Sequence, residues 1–104
     1  MRYDETANNR TIEVKADDEF ELVLAETRTA GYRWMLKIGS ESVCNLIGES
    51  TAPNLPGIGG TGEHSWKFRA VSHGRCEIAL RYARSWESSS GPAKTFRMKV
   101  QVRP

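Results

Sequence analysis

The chain is short of several things, and each shortage excludes something. Two cysteines in 104 residues allow at most one disulfide, so a disulfide scaffold is ruled out. No apolar run approaches the roughly 20 residues of a membrane-spanning helix. Met1 is followed by Arg2, Tyr3, Asp4 and Glu5, without the apolar stretch of a secretory leader. The expectation is a cytoplasmic protein, or an exported one whose leader has been removed. Charge of one sign is scarce as well: 15 basic against 13 acidic residues leave +2, too little by itself to imply a polyanionic partner. At this length there is room for one domain with a modest core. A cofactor-dependent enzyme of ordinary size does not fit, whereas a compact binding module does.

What is present is alternation. Ile12 and Val14 are separated by Glu13; Phe20, Leu22 and Leu24 by Glu21 and Val23; Tyr32, Trp34, Leu36 and Ile38 by Arg33, Met35 and Lys37. The segment 43–47 is apolar without a clear phase. His64, Trp66, Phe68 and Ala70 follow, then Cys76, Ile78, Leu80 and Tyr82, then Phe96, Met98, Val100 and Val102. Period-two patterning of this kind predicts strands, and no segment has the period of an amphipathic helix. Seven short strands predict an all-β protein, a seven-stranded immunoglobulin-like antiparallel β-sandwich. Residues 1–10 are polar and are expected to be a flexible N-terminal segment before a single domain over 11–104.

Connection lengths carry further information. The connections 16–18, 39–42 and 72–74 are tight. Those over 26–31, 50–62 and 84–94 are longer and rich in Gly, Pro, Ser and Thr. If successive strands are antiparallel, parity gathers all three long connections at one end of the sandwich, where a recognition surface can form.

The first of these loops reads Thr27-Arg28-Thr29-Ala30-Gly31-Tyr32, the second contains Gly57-Ile58-Gly59-Gly60, and the third opens with Arg84-Ser85-Trp86. Together they resemble the chagasin family of cysteine-peptidase inhibitors. Its loops carry Asn-Pro-Thr-Thr-Gly-Tyr, Gly-x-Gly-Gly and Arg-Pro-Trp or Phe, in this order, on an immunoglobulin-like sandwich. The resemblance spans most of the chain. Thr29, Gly31, Tyr32, the three glycines, Arg84 and Trp86 match. Thr27, Arg28, Ala30 and Ser85 replace Asn, Pro, Thr and Pro. Losing two prolines is expected to raise the entropic cost of docking by roughly 0.4–1 kcal/mol per site.

The resemblance implies a reversible, steric inhibitor, itself not an enzyme, whose partners are papain-like cysteine proteases of the cathepsin type. Thr29 would lie beside the catalytic cysteine, residues 57–60 along the non-primed side, and Trp86 over the primed side. The residue types suit these tasks. Gly31 permits a tight turn into Tyr32, and the glycines at 57, 59 and 60 let backbone approach a surface closely. Trp86 is a large rigid anchor, and Arg84 offers several directional donors. Tyr32 and Trp34 share the inward phase of their strand and are expected in the core. A monomer is expected, without cofactor, metal, membrane or nucleic-acid partner.

Other patterns point to chemistry less well. Gly57, Gly59 and Gly62 spell G-x-G-x-x-G, but a strand follows where a dinucleotide fold needs a helix. Cys44, His64, His73 and Cys76 match no zinc spacing, and His64 and His73 fall at opposite ends of a strand. His64 is expected as a packed or hydrogen-bonded residue at the base of the loops. Adjacent His64 and Ser65 point to opposite faces, which precludes a hydrolytic pair. Cys44 and Cys76 fall on strands of facing sheets and are either bridged or two buried thiols. Finally, if 32–38, 76–82 and 96–102 share a sheet, its outward positions include Arg33, Lys37, Arg75, Arg81, Arg97, Lys99 and Arg103, offset by Glu77. Such a face is either a solvated surface or, in an adhesion-type module, a binding surface for an anionic polymer.

Overall fold

The computed structural model describes residues 1–26, 32–52, 62–84 and 94–104. The alternating segments become strands β2 (Thr11–Lys15), β3 (Glu19–Glu26), β4 (Tyr32–Ile38), β5 (Cys44–Ala52), β6 (Gly62–Ala70), β7 (Gly74–Arg84) and β8 (Lys94–Arg103). They are preceded by a two-residue strand, β1 (Arg2–Tyr3), and a 3₁₀ turn over Glu5–Ala7. The first sheet has the order β1-β3-β6-β5 and the second β2-β8-β7-β4, packed face to face as an immunoglobulin-like β-sandwich. The pairings β3–β6, β5–β6, β4–β7 and β7–β8 are antiparallel. The two edge pairings, β1–β3 and β2–β8, are parallel.

Alternation sorts the side chains between core and surface. Trp66, Phe20, Phe68, Leu22, Ile78 and Met98 are fully buried between the sheets, and Phe20 stacks on Phe68 with ring centroids 5.3 Å apart. Trp34 packs against this core from β4, as its phase predicts, while remaining partly exposed. The unclear phase of 43–47 has a local cause. A register shift between Leu46 and Gly48 breaks the alternation of β5, leaving Leu46 and Ile47 exposed.

The first ten residues have more structure than their polarity suggests. The Asp4 carboxylate accepts from the Thr6 hydroxyl at 2.6 Å and the Thr6 backbone N–H at 3.0 Å, contacts that hold its pKa below the usual range. Ala7 is buried. Asn9 N–H donates to the Arg97 carbonyl at 2.7 Å, and Arg97 N–H donates to Asn8 Oδ1 at 2.9 Å. Polar side chains here satisfy backbone groups of β8, which a count of apolar residues does not register.

Cys44 and Cys76 are both buried free thiols in mutual contact. Burial pushes the Cys44 thiol up to about 12, and the neighbouring Cys76 adds to the shift. Between them and the end of the sandwich lies Gly74, with φ +141°. A Cβ at Gly74 would meet Val43 Cγ2 at 3.2 Å, so both conformation and space favour glycine there.

Candidate functional site

Strand register decides which ends of the strands come together. In the first sheet Glu26 is opposite Gly62, and Ala52 is opposite Glu63. In the second, Tyr32 is opposite Arg84, and Tyr82 is opposite Lys94. All six strand ends that flank residues 27–31, 53–61 and 85–93 therefore converge at one end of the sandwich. The tight connections occupy the other end, as parity predicts.

This loop end is braced by side chains. Glu26, the last residue of β3, is 3% exposed, and its Oε1 accepts the backbone N–H of Trp34 at 3.2 Å. The Trp34 indole Nε1–H donates to the Ala25 carbonyl at 2.9 Å. These two bonds tie β4 to β3 across the base of residues 27–31. Glu26 Oε2 lies 2.8 Å from His64 Nδ1, and His64 Nε2 lies 2.6 Å from Glu49 Oε2 on β5. His64 is itself 6% exposed, and its ring stacks on Trp66 at a centroid distance of 4.0 Å and an angle of 8°. Each ring nitrogen of His64 thus faces a carboxylate oxygen, so the buried imidazole is partnered on both sides. The result is a Trp34–Glu26–His64–Glu49 chain linking β4, β3, β6 and β5.

The third segment has an aromatic base. Tyr32 stacks on Tyr82 at 5.4 Å, Trp34 packs on the same ring at 5.0 Å, and Lys94 Nζ stands 5.6 Å from its centroid. Tyr32 opens β4, Lys94 opens β8 and Tyr82 lies two residues before the end of β7, so stacking there aligns the three strand ends of the second sheet that flank long connections.

Of the residues singled out in the sequence, Arg84 ends β7 opposite Tyr32. Thr27, Arg28, Thr29, Ala30, Gly31, Gly57, Ile58, Gly59, Gly60, Ser85 and Trp86 lie outside the described residues. His64 is hydrogen-bonded at the base of the loops, as expected. Its partners Glu26 and Glu49 escaped the sequence reading. A signal for Glu26 existed: it shares the inward phase of Phe20, Leu22 and Leu24, and a buried acid demands a partner. Among the described residues no cluster of three or more His, Cys, Asp and Glu side chains is suited to holding a metal ion.

Residues 13–100 match the family model described as Chagasin family peptidase inhibitor I42. The chain belongs to the chagasin family. That is a family of peptidase inhibitors, not of enzymes, and its match covers five of the seven strands predicted from alternation in full and most of the other two. The chain is 29% identical to Amoebiasin-1 of Entamoeba histolytica over 104 residues, covering 98% of this chain and 99% of that protein. Its fold matches the crystal structure of the cysteine protease inhibitor EhICP2 from Entamoeba histolytica, with TM-score 0.88, 20% identity and coverage of 98% and 94% of the two chains. It also matches PbICP-C, solved in complex with falcipain-2, with TM-score 0.72, 16% identity and coverage of 99% and 90%. In this chagasin-family chain the three motif-bearing segments depart from strand ends that the register gathers together.

Proposed function

We propose that the protein is a reversible inhibitor of papain-like cysteine proteases that plugs the active-site cleft with three loops. The observation that carries this reading is the convergence of the six strand ends flanking the three motifs. In it, Thr27, Arg28, Thr29, Ala30 and Gly31 form the central loop, with Thr29 beside the enzyme's catalytic cysteine. Gly57, Ile58, Gly59 and Gly60 run along one side of the cleft through backbone contacts, since glycine lets two main chains approach closely. Arg84, Ser85 and Trp86 cover the other side, where Trp86 is the aromatic anchor. A standard protease–inhibitor interface buries about 1,600 Å², an area that three such loops can supply. Inhibition is competitive and noncovalent.

The bracing at the base has a role in this reading. A loop docks tightly when its ends are already held in the bound arrangement, because less conformational entropy is lost on binding. The Glu26–His64–Glu49 chain and the Tyr32–Tyr82 stack hold those ends. Titration of the purified protein against papain and several cathepsin-type proteases tests the proposal. Stoichiometric loss of peptidase activity with competitive kinetics is expected, and no inhibition of any of them at micromolar concentration would sink it.

A further inference from the structure

The outward faces of the two sheets use their charges differently. On the first sheet every basic residue has an acidic neighbour. Lys67 lies 3.3 Å from Glu19, Arg69 lies 3.1 Å from Asp17, and Arg2 stands between Glu21 and Glu63 at 4.0 and 3.9 Å. On the second sheet the outward carboxylates are Glu13 and Glu77, and both are taken, by Arg103 at 2.9 Å and Arg97 at 3.7 Å. Arg75 reaches only the amide oxygen of Gln101, at 3.0 Å. Among the described residues Arg33, Lys37, Arg81 and Lys99 have no carboxylate partner, and all four are exposed.

These cations are held close together by the register. Arg81 is opposite Met35, Lys37 is opposite Ala79, and Ala79 is opposite Arg97. Same-face residues two apart on a strand are separated by about 6.6 Å, and neighbouring strands by about 4.8 Å. Both spacings fall within the screening length of about 8 Å at physiological salt, so the cations repel one another. Beside them, on the β2, β7 and β8 side of the face, the surface is grooved, and Lys99 is the member of the four that lines the grooves. One groove of about 600 Å³ is lined by Arg75, Lys99, Gln101 and Ser40, and a second of about 270 Å³ by Arg10, Arg97 and Asn9. The two share Thr11, Glu77 and Lys99, so they form a continuous trough with basic edges.

We infer that this face is a second interaction surface, which binds an extended acidic polysaccharide along the trough while the loop end stays free. The trough reaches Gly39 and Ser40 at the turn end, away from the loops, and its binding does not rest on protease inhibition. The chemistry of the face selects this occupant. Tyr82 and Phe96 alternate to the inner side with the rest of the core, and Tyr32 and Trp34 share that phase, so among the described residues the outer face offers no ring for base stacking. The exposed large hydrophobics among the described residues are Met1, Leu46, Ile47 and Val71, none on this sheet, so nothing here inserts into a bilayer. Spaced guanidinium and ammonium groups beside a shallow trough fit a chain of sulfate or carboxylate groups, which needs charge and hydrogen-bond donors and little else.

A heparin column and a binding titration with heparin test the inference. The wild-type protein should be retained at about 0.15 M NaCl. Its affinity should fall roughly 50- to 150-fold between 50 and 200 mM salt, as counterion release for about four neutralised charges requires. Arg81→Glu/Lys99→Glu should pass through unretained at the same salt. Lys67→Glu/Arg69→Glu, an equal charge change on the opposite face, should be retained like wild type. Arg81→Glu/Lys99→Glu should still inhibit papain as wild type does, which separates this surface from the loops. Flow-through of the wild type, or equal loss from either reversal, overturns the inference. So does tighter binding to single-stranded DNA, duplex DNA or phosphatidylserine vesicles at matched salt. If thermal unfolding shows that the double reversal is not folded, Arg81→Gln/Lys99→Gln is judged by the same criteria.

Discussion

The two ends of the sandwich are closed by different means. At the turn end the backbone does the work. Asp17 N–H donates to the Ala70 carbonyl at 2.8 Å, Ala70 N–H to the Asp18 carbonyl at 2.9 Å, and Val71 N–H to the Val43 carbonyl at 2.7 Å. These bonds are available to almost any sequence that can make the turns. At the loop end the strands must release long connections, so backbone closure gives way to side chains. Glu26, His64, Glu49 and Trp34 bridge four strands there, and Tyr32 stacks on Tyr82. The loop end thus depends on a few buried side-chain contacts, while the turn end adds only exposed ones, such as Lys15 N–H to Asp18 Oδ2 at 2.9 Å and the Ser72 hydroxyl to the Ser42 carbonyl at 2.7 Å, to its backbone bonds.

Breaking the loop end should cost most. His64→Ala removes the ring partner of Glu26 Oε2 while Oε1 keeps the Trp34 N–H, and breaking a buried pair of ionisable groups by removing one member typically costs about 3–5 kcal/mol. Chemical denaturation should show a loss of that size, together with weaker protease inhibition. A loss below about 1 kcal/mol would mean that the network contributes little to the end it joins. At the turn end the largest effect is expected from alkali. The Cys44 thiol is raised from 9.0 to about 12 in the folded protein, so above pH 9 the unfolded chain binds fewer protons than the native one. Stability should therefore fall as pH rises through this window, by about 1.4 kcal/mol per unit. Denaturation of wild type and Cys44→Ala across pH 8–11 checks this, and the variant should lose the slope attributable to Cys44.

Gly74→Ala is a smaller perturbation of the same end. It forces a non-glycine residue to φ +141° and presses Val43, for an expected cost of about 1–3 kcal/mol with protease inhibition unchanged. If inhibition falls in proportion to stability, the two ends are not independent. The smallest stability effect belongs to Trp86→Ala. As an anchor for a partner it should leave the unfolding midpoint within about 0.5 kcal/mol of wild type while weakening inhibition by more than tenfold. A large drop in the midpoint instead would place Trp86 in the core.

The parts of this molecule that could be read from the chain are those governed by local geometry. Phe20, Leu22 and Leu24, or Ile78, Leu80 and Tyr82, fall on one face because successive residues of a strand point to opposite sides. Seven of the eight strands, the division into short and long connections and the parity that groups three motifs follow from that rule and from reading along the chain. Contacts between distant segments did not follow. Glu26 and His64 are 38 residues apart, and nothing in the intervening sequence states that they touch. The parallel pairing of β2 with β8, the β1 strand and the shift at Leu46/Gly48 likewise depend on what a neighbouring strand offers.

The sequence by itself determined the class of fold, the burial phase of its clear strands and the order of the three loop motifs, because period two is imposed by the backbone of each strand alone. Only the tertiary structure decided that Glu26, His64 and Glu49 form one buried chain, that Cys44 and Cys76 are adjacent thiols, and that the cations of the second sheet share a trough. The reason is physical. Such arrangements are set by the registers at which strands far apart in sequence meet, and a register shift of one residue would send every one of these side chains to the opposite face.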